Sequence, residues 1–194
     1  MRLYLARHGE STGNAQRLIF GRRDYPLTEK GRAQARALGR SLEDARIERV
    51  VASPLSRALE TARLARPHAA IETDARLMEQ DMGRWEGLTE AEALADNAPL
   101  WRAMLSDWTC DQAAPPEGES YTALKTRVFQ ALDEIIARGE DTLIVAHAGV
   151  LAAMCELLLK TPREQCAHEH FPCASAIALE IGEDGAGSVA KRHI

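Results

Sequence analysis

Leu3-Tyr4-Leu5-Ala6 is a short, mostly apolar run that stops at Arg7-His8-Gly9. Such a run reads as a buried strand with a basic cluster at its carboxyl end. Two other stretches also read as strands. Thr142-Leu143-Ile144-Val145-Ala146 is a strong buried strand that leads into His147-Ala148-Gly149, and Arg49-Val50-Val51-Ala52 leads into Ser53-Pro54. A third short strand is expected at Ile71–Thr73, and a last one over Ala174–Ile181.

Helices are expected between these strands. Thr28 can cap one that carries Ala35, Leu38, Leu42 and Ala45 at helical spacing. Ser53-Pro54 reads as a helix start, with Ser as cap and Pro at the first helical position. Leu55, Ala58, Leu59 and Ala62 then mark its buried face, and Arg57 falls in the first turn, off that face. Ser120 can cap a long helix ended by Gly139, and Val150–Leu159 forms another before Pro162. Strands alternating with helices predict an α/β fold: a three-layer sandwich with a mostly parallel central sheet. One domain over residues 1–194 is expected, with a small helical cap inserted at about 76–118. In that insertion Thr89 and Glu92 fit a capping box, Pro99 ends or kinks the helix, and Leu100, Trp101, Met104 and Leu105 form a second amphipathic piece.

Composition narrows the partners. Hydrophobic residues make up 45% and charged residues 27%, as in ordinary globular proteins. The net charge of −5 gives no general basic surface for nucleic acid, so an anionic ligand must be drawn by a local cation cluster. No run approaches the roughly 18 apolar residues of a spanning helix, and no secretory signal precedes the first motif. Cytoplasmic location with free thiols at Cys110, Cys155, Cys166 and Cys173 is the expectation, as a monomer or homodimer. Cys166-x-His168-x-His170-x-x-Cys173 has metal-ligand chemistry, but its spacing fits no common zinc module, so no metal is expected.

In open α/β sheets, ligands bind beyond the carboxyl ends of the strands. That rule gathers His8, Arg57 and His147 into one crevice. Arginine pairs with phosphate oxygens through charge-assisted hydrogen bonds, and a neutral imidazole nitrogen can attack phosphorus in line. Flanking Arg7 and Arg57 would push the His8 pKa down and keep the ring neutral. Gly9 would permit close approach of backbone to ligand, and Asn14 and Ser11 would add neutral donors.

Taken together, the segments resemble a known family. Arg7-His8-Gly9-Glu10-Ser11-Thr12-x-Asn14 resembles the signature of the histidine phosphatase superfamily, which includes the cofactor-dependent phosphoglycerate mutases. Asp24-x-Pro26-Leu27-Thr28-x-x-Gly31, Ser53-Pro54-Leu55-x-Arg57-Ala58-x-x-Thr61-Ala62, Glu79-x-x-x-Gly83-x-Trp85-Glu86-Gly87 and Ala146-His147-Ala148-Gly149 follow in the family's order. The resemblance implies that His8 is phosphorylated and that Arg7, Arg57 and His147 bind the phosphoryl oxygens, with Asn14 assisting. It implies Glu79 as the acid that protonates the leaving oxygen and later as the base for water, with Glu86 and Asp81 as rivals. An unperturbed glutamate is protonated in only about one molecule in five hundred at pH 7, so an effective acid needs help from its surroundings. No cofactor or metal is implied.

The mutases hold their substrate with a Thr-Gly pair and a Tyr near the acid. Phe20-Gly21 and Met82 match those positions here, and the mutases' basic insert is absent. Hydrolysis of a small phosphorylated metabolite is therefore expected. Mutase-type phosphoryl transfer and a non-catalytic phosphate-binding module are the alternatives. Pro115-Pro116-x-Gly118-Glu119-Ser120 resembles the small phosphatase branch of α-ribazole, phosphoserine and broad-specificity phosphatases, with a lean toward the first. Phe20, Gly21, Arg22, Ser11 and Ala148 are further candidates for substrate contact, and Arg23 for the pocket mouth. Trp85, Trp101 and Trp108 are expected either to pack the cap or to stack on a leaving group.

Overall fold

Leu3–Ala6 lies at the centre of a sheet because both of its faces are apolar. β1 (Arg2–Arg7) turns Leu3 and Leu5 to one side and Tyr4 and Ala6 to the other, and all four are buried. The computed structural model describes residues 1–106, 113–161, 171–182 and 185–191. Cys166, His168 and His170 of the cysteine and histidine motif lie outside the described residues, as do Trp108 and Cys110.

β1 is followed by α1 (Thr12–Ala15), α2 (Glu29–Ser41), β2 (Arg49–Ala52), α3 (Ser56–Ala65) and β3 (Ile71–Thr73). Then come α4 (Glu90–Ser106), α5 (Tyr121–Ala137), β4 (Thr142–Ala146), α6 (Ala148–Leu159), β5 (Ala176–Ile181) and β6 (Gly187–Lys191). The sheet order is β3-β2-β4-β1-β5-β6. β1 to β4 run parallel, while β5 and β6 are antiparallel additions beside β1. Leu3, Leu5, Val51 and Ile144 pack against α5 and α6. Tyr4, Val50, Leu143 and Val145 pack against α2 and α3. The expected mostly parallel sheet between two helical layers is what forms.

Local capping explains most helix starts. The Thr28 hydroxyl accepts from Gly31 N–H (3.0 Å), and Ser120 accepts from Ala123 N–H (3.2 Å). Thr89 and Glu92 form the capping box, with Glu92 accepting from Thr89 N–H at 2.7 Å. α4 breaks at Asn97 (φ −155°, ψ 80°), two residues before Pro99, and the Asn97 side chain caps the second half through Leu100 N–H (3.1 Å).

Two expectations are corrected. Ser53 does not cap α3; the helix begins at Ser56 with Leu55 as the flanking residue, and the Ser53 hydroxyl accepts from Leu55 N–H (3.4 Å) while it meets His147 at 2.8 Å. Nor is the strand near Ile181 the last. β6 follows it, an edge strand of partly exposed residues whose Gly187-Ser188-Val189-Ala190-Lys191 carries no apolar alternation to betray it.

Between β3 and α5, Trp85, Ala93, Trp101 and Met104 make a small core of their own. Trp85 and Trp101 meet edge to face at 5.5 Å, and Trp85 Nε1–H donates to Asp96 (2.8 Å). These two rings pack this segment, and neither lines the cavity described below.

Gly9 is needed for a reason that only the fold shows. Its backbone lies against Gly31 of α2, and a methyl group there would sit 2.4 Å from the Gly31 carbonyl oxygen. A methyl at Gly31 would sit 2.0 Å from the Glu10 carbonyl oxygen. The close approach is thus loop on helix, between the β1–α1 turn and α2. Gly31→Ala should destabilise the fold by about 1–3 kcal/mol, read as a lower urea midpoint at unchanged slope; an unaffected midpoint would show that the loop gives way freely.

Candidate active site

Strand order builds the site. β2, β4 and β1 are adjacent, so the residues that follow them emerge side by side, at strand spacing of about 4.8 Å. Ser53 N–H donates to Val145 O (3.0 Å) and His8 N–H to Ala146 O (3.1 Å), which continues the ladders by one step. α2 leaves β1 toward one face and α6 leaves β4 toward the other, opening a crevice between them.

The two imidazoles meet there. Their centroids are 5.2 Å apart, and both rings are buried. His8 Nδ1 lies 2.7 Å from the Gly9 carbonyl oxygen. A carbonyl only accepts, so the proton sits on Nδ1 and the lone pair on Nε2. Burial, then Arg57, then Arg7 push the His8 pKa down to about 3, against a smaller opposing effect of the Gly9 carbonyl. His147 Nε2 is 2.8 Å from the Ser53 hydroxyl, while Nδ1 is buried without a partner among the described residues. Burial, with His8 and three arginines, holds the His147 pKa well below the usual histidine range.

Two guanidinium groups complete this pole. Arg7 Nη1 donates to Phe171 O (2.7 Å). Arg57 is wholly buried, against the expectation for a first-turn residue off the apolar face. Its Nη2 donates to Gly21 O (2.6 Å) and Nη1 to Arg23 O (3.1 Å), and its Cζ stands 4.9 Å from the Phe20 ring centroid. Burial lowers its pKa, opposed by Glu79, Asp24 and Glu86. Nε of Arg7 and Nε of Arg57 are both buried with no partner among the described residues. Asn14 accepts from Ser11 through Oδ1, which leaves its Nδ2 amide as the donor it can offer.

A cavity of about 310 Å³ is lined by Arg7, His8, Asn14, Arg57, Glu79 and Gly149, and by Leu18, Ile19, Phe20, Gln80, Met82 and Met104. Glu79 brings a carboxylate to it, with Oε2 accepting from Gly149 N–H and Oε1 from Gln80 N–H, both at 3.0 Å. Arg127 holds this segment from behind. It donates to Arg76 O (2.6 Å) and Glu79 O (3.0 Å) and forks onto both oxygens of Glu119 (2.7 and 2.8 Å). Gln80 Nε2 donates in turn to Glu119 O (2.7 Å).

Comparison with known proteins agrees with this geometry. The model of the histidine phosphatase superfamily (branch 1) matches residues 3–192. The chain belongs to that superfamily. It is 35% identical over 187 residues to the adenosylcobalamin/alpha-ribazole phosphatase of Salmonella typhimurium, covering 94% of this chain and 92% of that one. It is 36% identical over 166 residues to the "Probable phosphoglycerate mutase GpmB" of Erwinia tasmaniensis, covering 84% and 76%. The solved structure of Bacillus stearothermophilus YhfR superposes with a TM-score of 0.89 at 34% identity, over 97% and 95% of the two chains.

In this histidine phosphatase superfamily member, several anticipated contacts fall elsewhere. Ser11 is buried and caps α1 instead of lining the cavity. Gly21 faces Glu86 and Arg57; Arg22 pairs with Asp81 (3.6 Å) and Glu119 (3.7 Å); Arg23 reaches the Glu86 carbonyl oxygen (3.4 Å). Gly149, not Ala148, borders the cavity, and Asp81 and Glu86 do not. Ser53, Arg127, Gly149, Leu18, Ile19 and Met104 belong to the site or its support without being marked as such by the sequence. A serine directly after a buried strand is the one available signal, and its place before proline reads as a cap. Among the described residues, no group of three or more His, Cys, Asp or Glu could hold a metal ion, and no helix is long and apolar enough to cross a membrane.

The buried histidines make a pH signature for this superfamily member. An imidazole that resists protonation in the fold favours folding above its unfolded pKa near 6.5, and the gain is lost as pH falls toward about 3. Going from pH 8 to pH 5 should cost about 2 kcal/mol through His8, with His147 acting in the same direction. Urea unfolding at pH 8, 6.5 and 5 should show this decline, and His8→Gln should flatten it; a variant with the parent's slope would contradict the assigned cause.

Proposed function

We propose that this protein hydrolyses small phosphomonoesters through a phosphohistidine at His8. One observation carries the reading. A neutral imidazole with its lone pair on Nε2 shares a cavity with two guanidinium groups and a carboxylate.

His8 Nε2 attacks phosphorus in line, forming a P–N bond as the ester P–O bond breaks. Arg7 and Arg57 neutralise the equatorial oxygens while the Asn14 amide donates to them, and the two Nε groups, which have no partner among the described residues, are suited to this. The Ser53 hydroxyl can donate to His147 Nε2, which places that ring's proton on Nδ1 as a further donor. Glu79, entering the step as the carboxylic acid, gives its proton to the leaving oxygen and is left as the carboxylate. Water then attacks the phosphohistidine, the P–N bond breaks, and Glu79 takes the water's proton. Guanidinium groups supply the positive charge that a metal would otherwise bring, so metal independence belongs to the reading.

The rest of the cavity points to hydrolysis and to an apolar leaving group. Leu18, Ile19, Phe20, Met82 and Met104 line it, and Gln80 adds a neutral amide beside those of the phosphoryl pole. A mutase must grip a phosphorylated acid in two orientations. Phe20 and Met82 stand where the mutases carry hydroxyl-bearing residues, and neither can bond a carboxylate or a sugar hydroxyl. A non-catalytic binding module needs the guanidinium groups alone, whereas here the Glu79 carboxylate borders the same cavity as the His8 imidazole.

Several measurements test the proposal. His8→Ala should lower kcat/KM for 4-nitrophenyl phosphate by on the order of 10³ or more, and the parent enzyme, quenched with base, should retain an acid-labile label from ³²P substrate; unchanged hydrolysis in the variant would end the assignment. Chelators should leave the rate intact. Substrate choice follows from kcat/KM across aryl, alkyl, sugar and amino-acid phosphates with phosphorylated α-ribazole added, a set the Salmonella relative's name motivates. Glu79→Gln should cut kcat/KM for alkyl phosphates by about 10²–10⁴ while sparing 4-nitrophenyl phosphate, whose leaving group needs no acid; an equal loss on both would remove Glu79 from the acid role.

A further inference from the structure

Glu86 stands outside the cavity, yet its carboxylate is one of the most heavily engaged groups in the protein. It accepts N–H bonds from Gly21 on both oxygens (3.0 and 3.0 Å), from Arg22 (2.8 Å), from Arg23 (3.1 Å) and from Met82 (3.1 Å). Three consecutive backbone amides therefore converge on one anion, the geometry of a backbone nest. The carbonyls of the same turn face the opposite way. Gly21 O and Arg23 O are the two acceptors that hold Arg57 Nη2 and Nη1. A chain of charge and dipoles thus runs from the Glu86 carboxylate through the peptide units of 21–23 to the Arg57 guanidinium.

The turn has little freedom apart from this clasp. A methyl group at Gly21 would lie 1.6 Å from Gln80 O, so its backbone is pressed against the segment that carries Glu79. Two further bonds tie Ile19 to the Gly87-Leu88 stretch, Ile19 N–H to Leu88 O (2.7 Å) and Gly87 N–H to Ile19 O (2.8 Å). With both terminal nitrogens of Arg57 directed to the turn, the turn's position decides how the remaining Nε–H edge faces the cavity.

We propose that Glu86 is a positioning residue for Arg57, setting affinity for the phosphoryl group through the Gly21–Arg23 turn without touching substrate. The proposal rests on Arg57 being a phosphoryl ligand, as argued above. It also gives Glu86 a role distinct from that of Glu79. Loss of the clasp should weaken every phosphoryl ligand alike, whatever its leaving group, whereas loss of the acid discriminates between leaving groups.

A double-mutant cycle on the full chain tests it, with orthovanadate inhibition as the main readout and thermal midpoints checked for each variant. Glu86→Gln keeps the side-chain shape but turns an amide toward the N–H donors; it should raise the vanadate inhibition constant about tenfold. It should lower kcat/KM for aryl and alkyl phosphates by the same factor. Arg57→Met should raise the constant by on the order of a hundredfold. In the Arg57→Met background, Glu86→Gln should change it less than about twofold. Additive effects, or a Glu86→Gln variant that vanadate inhibits as it does the parent, would overturn the positioning role while leaving Arg57 in place. An Arg57→Met variant with unchanged inhibition would instead remove Arg57 from the phosphoryl site and the proposal with it. Should Glu86→Gln fail to fold, Glu86→Asp, which keeps the charge at a shorter reach, takes its place in the same cycle: coupling to Arg57 supports the positioning role, and additivity overturns it.

Discussion

The constraint on which the site depends is the burial of the Arg57 guanidinium beside two imidazoles. Taking an ion out of water costs several kcal/mol even after relaxation. The fold offsets that cost with two backbone carbonyls, the Phe20 ring and Asp24 at 3.7 Å. The imidazoles ease it in another way, because burial and the nearby cations keep both neutral. A concentrated positive pole results, in a protein whose net charge is −5. Such a local field draws an anion that the molecule as a whole does not attract.

The opposite pole is assembled by backbone. β4 runs straight into His147, which flanks the start of α6, and Gly149 two residues later offers its N–H to Glu79. One short stretch therefore sets both the second imidazole and the distal carboxylate. Arg127 secures the other end of the Glu79 segment by its carbonyls and through Glu119. The separation of the two poles is accordingly a property of the sheet and of α5 and α6, with little left to side-chain rotamers.

Relatives named as a phosphatase and as a mutase share this chain's family at similar identity. Fold alone does not separate such activities, and differences of that kind lie in the walls of a site. Here the wall is apolar, and Met104 links it to the small Trp85–Trp101 core between β3 and α5. Packing in that segment thus bears on the shape of the cavity.

Much was legible in the chain itself, because local rules act over a few residues. Apolar runs marked β1, β2 and β4; Thr28, Thr89 and Ser120 marked helix starts through side-chain oxygens that reach amides a few positions on. His8, Arg57 and His147 could be assigned to one crevice from the strand-end rule. What tertiary structure alone decided was contact between distant segments: Ser53 meeting His147, Arg57 buried by a turn 34 to 36 residues away, and Glu86 gripping that turn from the far side of the chain. β6 also needed a partner before it became a strand. The reason is physical. Periodicity records which face of an element is buried, but strand order and loop closure determine which buried groups meet, and those depend on pairing free energies summed over the whole sheet.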